Sequence, residues 1–294
     1  MKIFHLVKLN ALLASIFPII IGILFNIYKF NNINLLYTFI YVLTVISIDL
    51  IVIIMDTMDD YKTAKSFNFY DILKDNPIEI YNLPIKNVKQ IIHILIIMVI
   101  LLGLYLVIKI GILLFIIGIL GLLTAIGYSK FLHNFPIGEF LSGFFMGFLI
   151  PFTLIYVNNC KSNFLNFNNI FSILLVTLPE VLWIANILLA NNICDIKYDR
   201  ITNRITYPIY VGKRKAILTF EILNAISFIS VIISVTIKLE PWTNLIIICL
   251  VPYVNKQCKI FKKIQDKSST FKVAPKILLL GSIFQCSAFL IYLL

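Results

Sequence analysis

The chain has 294 residues, 60% of them hydrophobic and 13% charged, with a mean hydropathy of +0.97 and a net charge of +11. No soluble domain of this size has enough interior to hide that much apolar surface. The composition therefore excludes a soluble enzyme and predicts an all-α, polytopic membrane protein. The positive charge alone would suit nucleic acid, but its placement along the chain argues against that partner.

Nine membrane spans are predicted, at about residues 10–28, 34–56, 90–108, 110–127, 139–157, 170–193, 215–237, 242–255 and 274–294. The eighth is short. Lys2 and Lys8 precede the first span, and no small-residue cleavage pattern follows it, so an uncleaved first helix is expected. Pro18, Pro151 and Pro179 fall inside spans, where membrane helices tolerate proline.

The second span closes on Asp56, Asp59 and Asp60. A polar stretch from Thr57 to Lys89 follows, long enough to be a structured cap. The sixth span closes on Asn191, Asn192, Asp195 and Asp199, with a basic loop running on to Lys215. Each half thus has a helix ending in carboxylates, a basic loop and another helix. This is the outline of an internal repeat, without residue-level periodicity. A single domain over 1–294 is expected, with cap loops at about 57–89 and 194–215.

Nine spans with a cytoplasmic N-terminus put 21 of the 25 Lys and Arg residues inside, leaving Lys29, Lys109, Lys161 and Lys238 outside. That asymmetry is the positive-inside rule. It predicts a multi-pass cell-membrane protein with both carboxylate clusters cytoplasmic and the C-terminus outside. The five cysteines and three histidines show no disulfide or zinc spacing.

Carboxylates beside hydrocarbon are costly and commonly functional. Asp56, Asp59 and Asp60 are spaced i, i+3 and i+4, and Asn191, Asp195 and Asp199 are spaced i, i+4 and i+8, so each set shares one helix face. Oxygen-only donors suit Mg²⁺, which bridges readily to phosphate. Lys62, Lys65, Arg200, Arg204, Lys213, Arg214 and Lys215 follow the clusters and could grip diphosphate oxygens, although basic residues after a span often serve only to set topology. Phe140, Phe144, Phe145 and Phe148 offer an aromatic interior for a lipid tail and a carbocation. Asp49 lies deeper on the face of Asp56. Glu180, roughly 22 Å along a helix from Asp195, is expected near the far membrane surface and outside the site.

These residues resemble the UbiA superfamily of intramembrane prenyltransferases, whose two motifs read approximately NDxxDxxxD and NxxxDxxxD. Asn191-Asn192-Ile-Cys-Asp195-Ile-Lys-Tyr-Asp199-Arg200 matches the second. The following Ile-Thr-Asn203-Arg204-Ile-Thr206 through Gly212 is similar to the region after it in 1,4-dihydroxy-2-naphthoate polyprenyltransferases, with Asn203 in the place of a glycine. Asn there is suitable if the backbone must be left-handed. Lys8 to Gly22, and Tyr128 with Pro136-Ile-Gly138-Glu139, are similar to further family stretches. The first motif departs from the pattern: Met55 replaces Asn and Thr63 the third Asp, while Asp60-Tyr61-Lys62 resembles the DYK of naphthoate enzymes. Asp59 or Asp60 is the second metal ligand by this comparison.

The resemblance implies nine helices around a central cavity and two Mg²⁺ ions held by Asp56, Asp59, Asp195 and Asp199, with Asp60 in support. It implies substrate contacts from Asn191, Asn192, Lys62, Tyr128, Lys130, Arg200 and Arg204. It also implies transfer of a polyprenyl group from its diphosphate to an aromatic acceptor, foremost 1,4-dihydroxy-2-naphthoate in menaquinone biosynthesis. The alternatives are 4-hydroxybenzoate, homogentisate, haem or a glycerol lipid as acceptor, or a cation-coupled transporter. The partners expected are the substrates and the bilayer, with no nucleic acid and no obligate protein partner.

Overall fold

The structure, a computed structural model, describes residues 9–67, 70–130, 136–160, 164–267 and 269–294; of residues 9–11, 71–72 and 124–130 it describes the backbone. In chain order the helices are α1 (Leu9–Phe30), α2 (Leu35–Ser66), the short α3 (Tyr70–Leu73) and α4 (Pro77–Ile80), α5 (Ile85–Ile110), α6 (Ile112–Lys130), α7 (Gly138–Phe144) and α8 (Ile150–Asn159). There follow α9 (Phe167–Cys194), α10 (Ile196–Ile201), α11 (Tyr207–Val211), α12 (Lys213–Thr236), α13 (Val251–Lys263) and α14 (Val273–Leu293). A π-helical turn, Phe145–Leu149, joins α7 to α8, and a 3₁₀ segment, Trp242–Leu250, leads into α13. No strand occurs among the described residues.

Seven of these helical stretches are long and apolar enough to cross a bilayer, among the described residues. This is a multi-pass, all-α membrane protein. The segment expected as a short eighth span is instead the 3₁₀ segment running into α13. A 3₁₀ helix rises about 2.0 Å per residue against about 1.5 Å in an α-helix, so this segment gains length from its tighter winding.

The chain forms two compact units. The first comprises residues 39–129 with the start of α1, and the second residues 14–38 and 130–294. In the first unit, Ile51, Ile54 and Met58 of α2 meet Ile78 of α4 and Val88, Ile92 and Val99 of α5. The polar stretch expected as a cap loop at about 57–89 begins as helix, for α2 continues to Ser66. At 32 residues it is about 48 Å long, well beyond a hydrocarbon core of about 30 Å. Burial of Thr57, Met58 and Ala64 keeps this extension helical. Asn76 ties it down: its Nδ2 donates to the Thr57 carbonyl at 3.0 Å while its Oδ1 caps α4 by accepting from the Ile78 N–H. The opposite faces of α5 and α6 expose Ile94, Ile97, Leu101, Ile108 and Ile116, as lipid-facing helices do.

The second unit is built around α9. Gly143 and Gly147, spaced as a GxxxG pair, bring the α7 segment against the α9 backbone. A Cβ on Gly147 would lie 2.4 Å from the Val181 nitrogen, and one on Gly143 would lie 2.4 Å from the Val181 oxygen. On another side of α9, the Trp183 indole rests on Gly281 of α14, Ser282 Oγ donates to Glu180 Oε1 at 2.7 Å, and Gln285 Nε2 donates to the Val176 carbonyl at 3.0 Å. The pairings run in opposite order along the two chains, so α14 is antiparallel to α9. Glu180, expected near a membrane surface, therefore sits fully buried midway along α9, where the hydroxyl and packing of α14 enclose it. The far end is closed by asparagines: Asn158 Oδ1 accepts from the Asn34 N–H at 2.6 Å, and Asn159 Nδ2 donates to Asn26 Oδ1 at 2.6 Å.

Because the Gly147 contact is to backbone, nothing nearby can rotate away. Gly147→Ala should destabilise the protein by about 1–3 kcal/mol. Gly118→Ala, at a position with open space around it, should not. Thermal unfolding in detergent measures the difference.

Candidate active site

The first carboxylate cluster lies within α2, not at its end. Unbroken helix puts Asp56, Asp59 and Asp60 on one face. Asp59 accepts from Lys62 Nζ at 3.3 Å across one turn, and both side chains are substantially exposed. Lys65 lies over the Tyr61 ring, 5.6 Å from its centroid. Lys62 thus pairs with an aspartate of its own helix. Tyr128 and Lys130 fall in the last turn of α6, and their side chains lie outside the described residues.

The second cluster spans the junction of α9 and α10. Asp195 terminates α9 with φ −94° and ψ 9°, so the two helices are separate. The i→i+4 bonding nevertheless passes through the break: the Asp195 N–H donates to the Asn191 carbonyl at 2.9 Å, and the Asp199 N–H to the Asp195 carbonyl at 2.9 Å. The stripe of Asn191, Asp195 and Asp199 is kept.

Asp199 is 2% exposed, and burial pushes its carboxyl up to about 6. Arg204, the Thr206 hydroxyl and Lys267 act in the other direction, while Asp195 adds to the rise. Thr206 Oγ1 donates to Asp199 Oδ2 at 3.3 Å, and the Arg204 N–H donates to the Asp199 carbonyl at 2.8 Å. Arg204 lies over the Tyr198 ring, 5.9 Å from its centroid. The turn that brings Arg204 back needs a left-handed residue, and Asn203 supplies it with φ 54°. Gly212, with φ 86°, lets the chain enter α12. Arg200 points to solvent.

Two residues here escaped the sequence reading. Glu139, 1% exposed in the first turn of α7, accepts on Oε1 from Asn192 Nδ2 at 2.7 Å and from the Tyr207 N–H at 3.1 Å. It ties the second motif to the loop that follows it. The Pro136-Ile-Gly138-Glu139 stretch was its only signal. Lys267, in the loop before α14, forms an ion pair with Asp195. By sequence it was one of seven basic residues counted for topology.

Phe140, Phe144, Phe148, Phe152 and Tyr156 recur every four residues from α7 to α8. Phe140 meets Tyr207 at 5.2 Å; Phe144 and Phe148 lie 5.0 Å apart, and Phe148 and Phe152 lie 5.4 Å apart and stacked. The column ends against the buried Phe164. An aromatic wall therefore begins beside the second motif and runs along the helix.

No three His, Cys, Asp or Glu side chains gather closely enough among the described residues to enclose a metal ion by themselves. The oxygen donors Asp195 and Asp199 instead suit an ion that takes one or two carboxylates and completes its shell with water and phosphate, as Mg²⁺ does.

Apolar spanning helices, carboxylates at a helix terminus and an adjoining aromatic column are the features of the second unit around this site. The UbiA prenyltransferase family model matches residues 84–281, and the chain belongs to that family. Solved structures share the fold. A UbiA homologue from Aeropyrum pernix K1 matches with TM-score 0.74 and 13% identity, over 98% of this chain and 100% of that one. A digeranylgeranylglyceryl phosphate synthase matches with TM-score 0.64 and 19% identity, over 99% and 96%. A UbiA homologue from Archaeoglobus fulgidus bound to GPP and Mg²⁺ matches with TM-score 0.61 and 11% identity, over 98% and 99%. No curated protein matches the sequence.

Removing the Glu139 acceptor would leave a buried amide and a backbone N–H unpartnered. Glu139→Leu should cost about 1–3 kcal/mol, whereas Glu139→Gln, which keeps one accepting oxygen, should retain most of the stability. Unfolding temperatures of the two variants test this.

Proposed function

We propose that this prenyltransferase moves a polyprenyl group from its diphosphate to 1,4-dihydroxy-2-naphthoate, forming a menaquinone precursor with loss of carbon dioxide. The observation that carries the reading is the Asn191–Asp199 stripe continued through the left-handed Asn203 turn, since that turn is where the sequence resembles the naphthoate enzymes. The digeranylgeranylglyceryl phosphate synthase has the same fold, so a glycerol lipid is the second acceptor to consider.

In this reading Asp56 and Asp59, supported by Asp60, and Asp195 and Asp199 hold Mg²⁺ against the diphosphate. Homologues of this fold bind GPP or DMAPP with Mg²⁺. Bound Mg²⁺ would offset the charge that builds on the diphosphate as the allylic C–O bond breaks. Arg204, steered by Asn203 and lying over Tyr198, would take diphosphate oxygens, as would Lys62, with Arg200, Lys130, Tyr128, Asn191 and Asn192 as further contacts. Two of these have structural duties as well: Asn192 is oriented by Glu139, and the Asn191 carbonyl closes α9. The column from Phe140 to Tyr156 would line the prenyl tail. Its ring faces would stabilise the allylic cation, and its apolar surface would keep water from quenching it. The electron-rich acceptor ring then forms the new C–C bond.

Purified protein with radiolabelled polyprenyl diphosphate should prenylate 1,4-dihydroxy-2-naphthoate in a panel that also holds 4-hydroxybenzoate, homogentisate, haem and a glycerol lipid. Excess EDTA should abolish transfer, and Asp195→Ala and Asp199→Ala should each abolish it while membrane insertion persists. Preference for another acceptor would overturn the naphthoate reading. Transfer in EDTA would overturn the metal reading.

We also propose that both motifs face the cytoplasm and the C-terminus lies outside, on the asymmetry of the basic residues. A cysteine at the exposed Ser66, in a background without the native cysteines, should react with an impermeant thiol reagent only in opened or inverted membranes. Labelling from outside intact cells would reverse the topology.

A further inference from the structure

Lys267 occupies an unusual place. Its loop is tightly made around Asp266, the preceding residue. The Asp266 N–H donates to Thr270 Oγ1 at 2.8 Å, and its carbonyl accepts from the Thr270 and Phe271 N–H groups, both at 3.0 Å. Its Oδ2 accepts from the Ser269 N–H at 2.9 Å and from the Ser269 hydroxyl at 2.8 Å. Phe271 packs on the core of the second unit. The backbone at Lys267 is therefore anchored, while its side chain is 59% exposed and long enough to move. Lys262 on neighbouring α13 is engaged elsewhere, with Glu221 at 3.0 Å.

The partner of Lys267 is the more buried member of the pair: the Asp195 side chain is 15% exposed. An ammonium and a divalent cation compete for the same carboxylate oxygens. An ammonium displaced by the ion is left beside whatever anion the ion brings.

We infer that Lys267 is an exchangeable counter-cation of the second motif: it holds Asp195 in the metal-free protein, yields that carboxylate to the incoming divalent cation, and turns to an oxygen of the diphosphate. The inference rests on the reading of Asp195 as a metal ligand. It assigns the loop before α14 a part in substrate binding alongside the loop after α10. Lys267 is placed here as a binding residue whose role is exchange.

The roles have opposite signs in one variant, which a purely structural contribution would not produce. In full-length, detergent-solubilised protein, the Mg²⁺ concentration that half-maximally raises the unfolding temperature is measured first with Mg²⁺ alone. The concentration of inorganic pyrophosphate giving a further rise is then measured at saturating Mg²⁺. Lys267→Met should lower the Mg²⁺ midpoint about two- to fivefold, as expected for removing a partly exposed ion pair, and raise the pyrophosphate midpoint by at least about as much. Lys267→Arg should stay near wild type in both. A Met variant that binds Mg²⁺ more weakly, or in which neither midpoint moves, overturns the exchange. Asp195→Asn separates the layers. If it leaves the Mg²⁺ midpoint unchanged, the metal-ligand reading of Asp195 fails. If it weakens Mg²⁺ while Lys267→Met is neutral, only the role of Lys267 fails.

Discussion

The close approach of the α7 segment to the backbone of α9 is the constraint on which the second unit depends. Without side chains at Gly143 and Gly147, backbone meets backbone near Val181 and Ala185. Helices in contact this way cannot slide past one another, because the next side chain along either of them would collide. The register then decides what lies further along. One turn before Gly143 comes Glu139, and it meets Asn192, further along α9 in the same antiparallel sense. The π-turn that contains Gly147 belongs to this contact, and such turns are often found where a helix must accommodate a local demand.

The electrostatics follow from that placement. Glu139 spends one oxygen on an amide of the motif and on the start of α11, leaving the motif aspartates to other partners. Asp199 is sunk among its own loop, where burial alone would favour the protonated acid, and the surrounding cations work against that preference. Such a carboxylate gains more from a nearby cation than a solvated one does, because water competes less. Positive charge is therefore favoured beside this carboxylate.

Much of this was legible in the sequence. The long apolar stretches marked most of the helices, since burial and lipid contact both demand continuous hydrophobic runs. The second motif was legible because its residues are neighbours along one helix face, and Asn203 because a left-handed turn favours few residue types. The extension of α2 as far as Ser66 was hidden: the polar residues beyond the aspartates read as a cap loop, although the buried Thr57, Met58 and Ala64 hold a helix there. Glu139 and Lys267 were hidden for a different reason. Their partners lie 53 and 72 residues away, and no local periodicity encodes such a pairing. Glu180 was misplaced because its distance from Asp195 was taken to reach the far membrane surface, whereas α9 begins thirteen residues earlier, at Phe167, and Ser282 gives Glu180 a buried partner.

The seating of Trp183 on Gly281 has an optical corollary. The chain has two tryptophans, one enclosed at 1% exposure between α9 and α14 and the other, Trp242, 71% exposed at the start of the 3₁₀ segment. An indole sealed from mobile dipoles emits at shorter wavelength than one that water or head groups can relax around. Trp183 lies twelve residues before Asp195 on the same stretch of chain, about 18 Å along α9. The unlabelled protein therefore carries a short-wavelength emitter in the seam behind the second motif and a long-wavelength internal reference, spectrally distinguishable without any added dye.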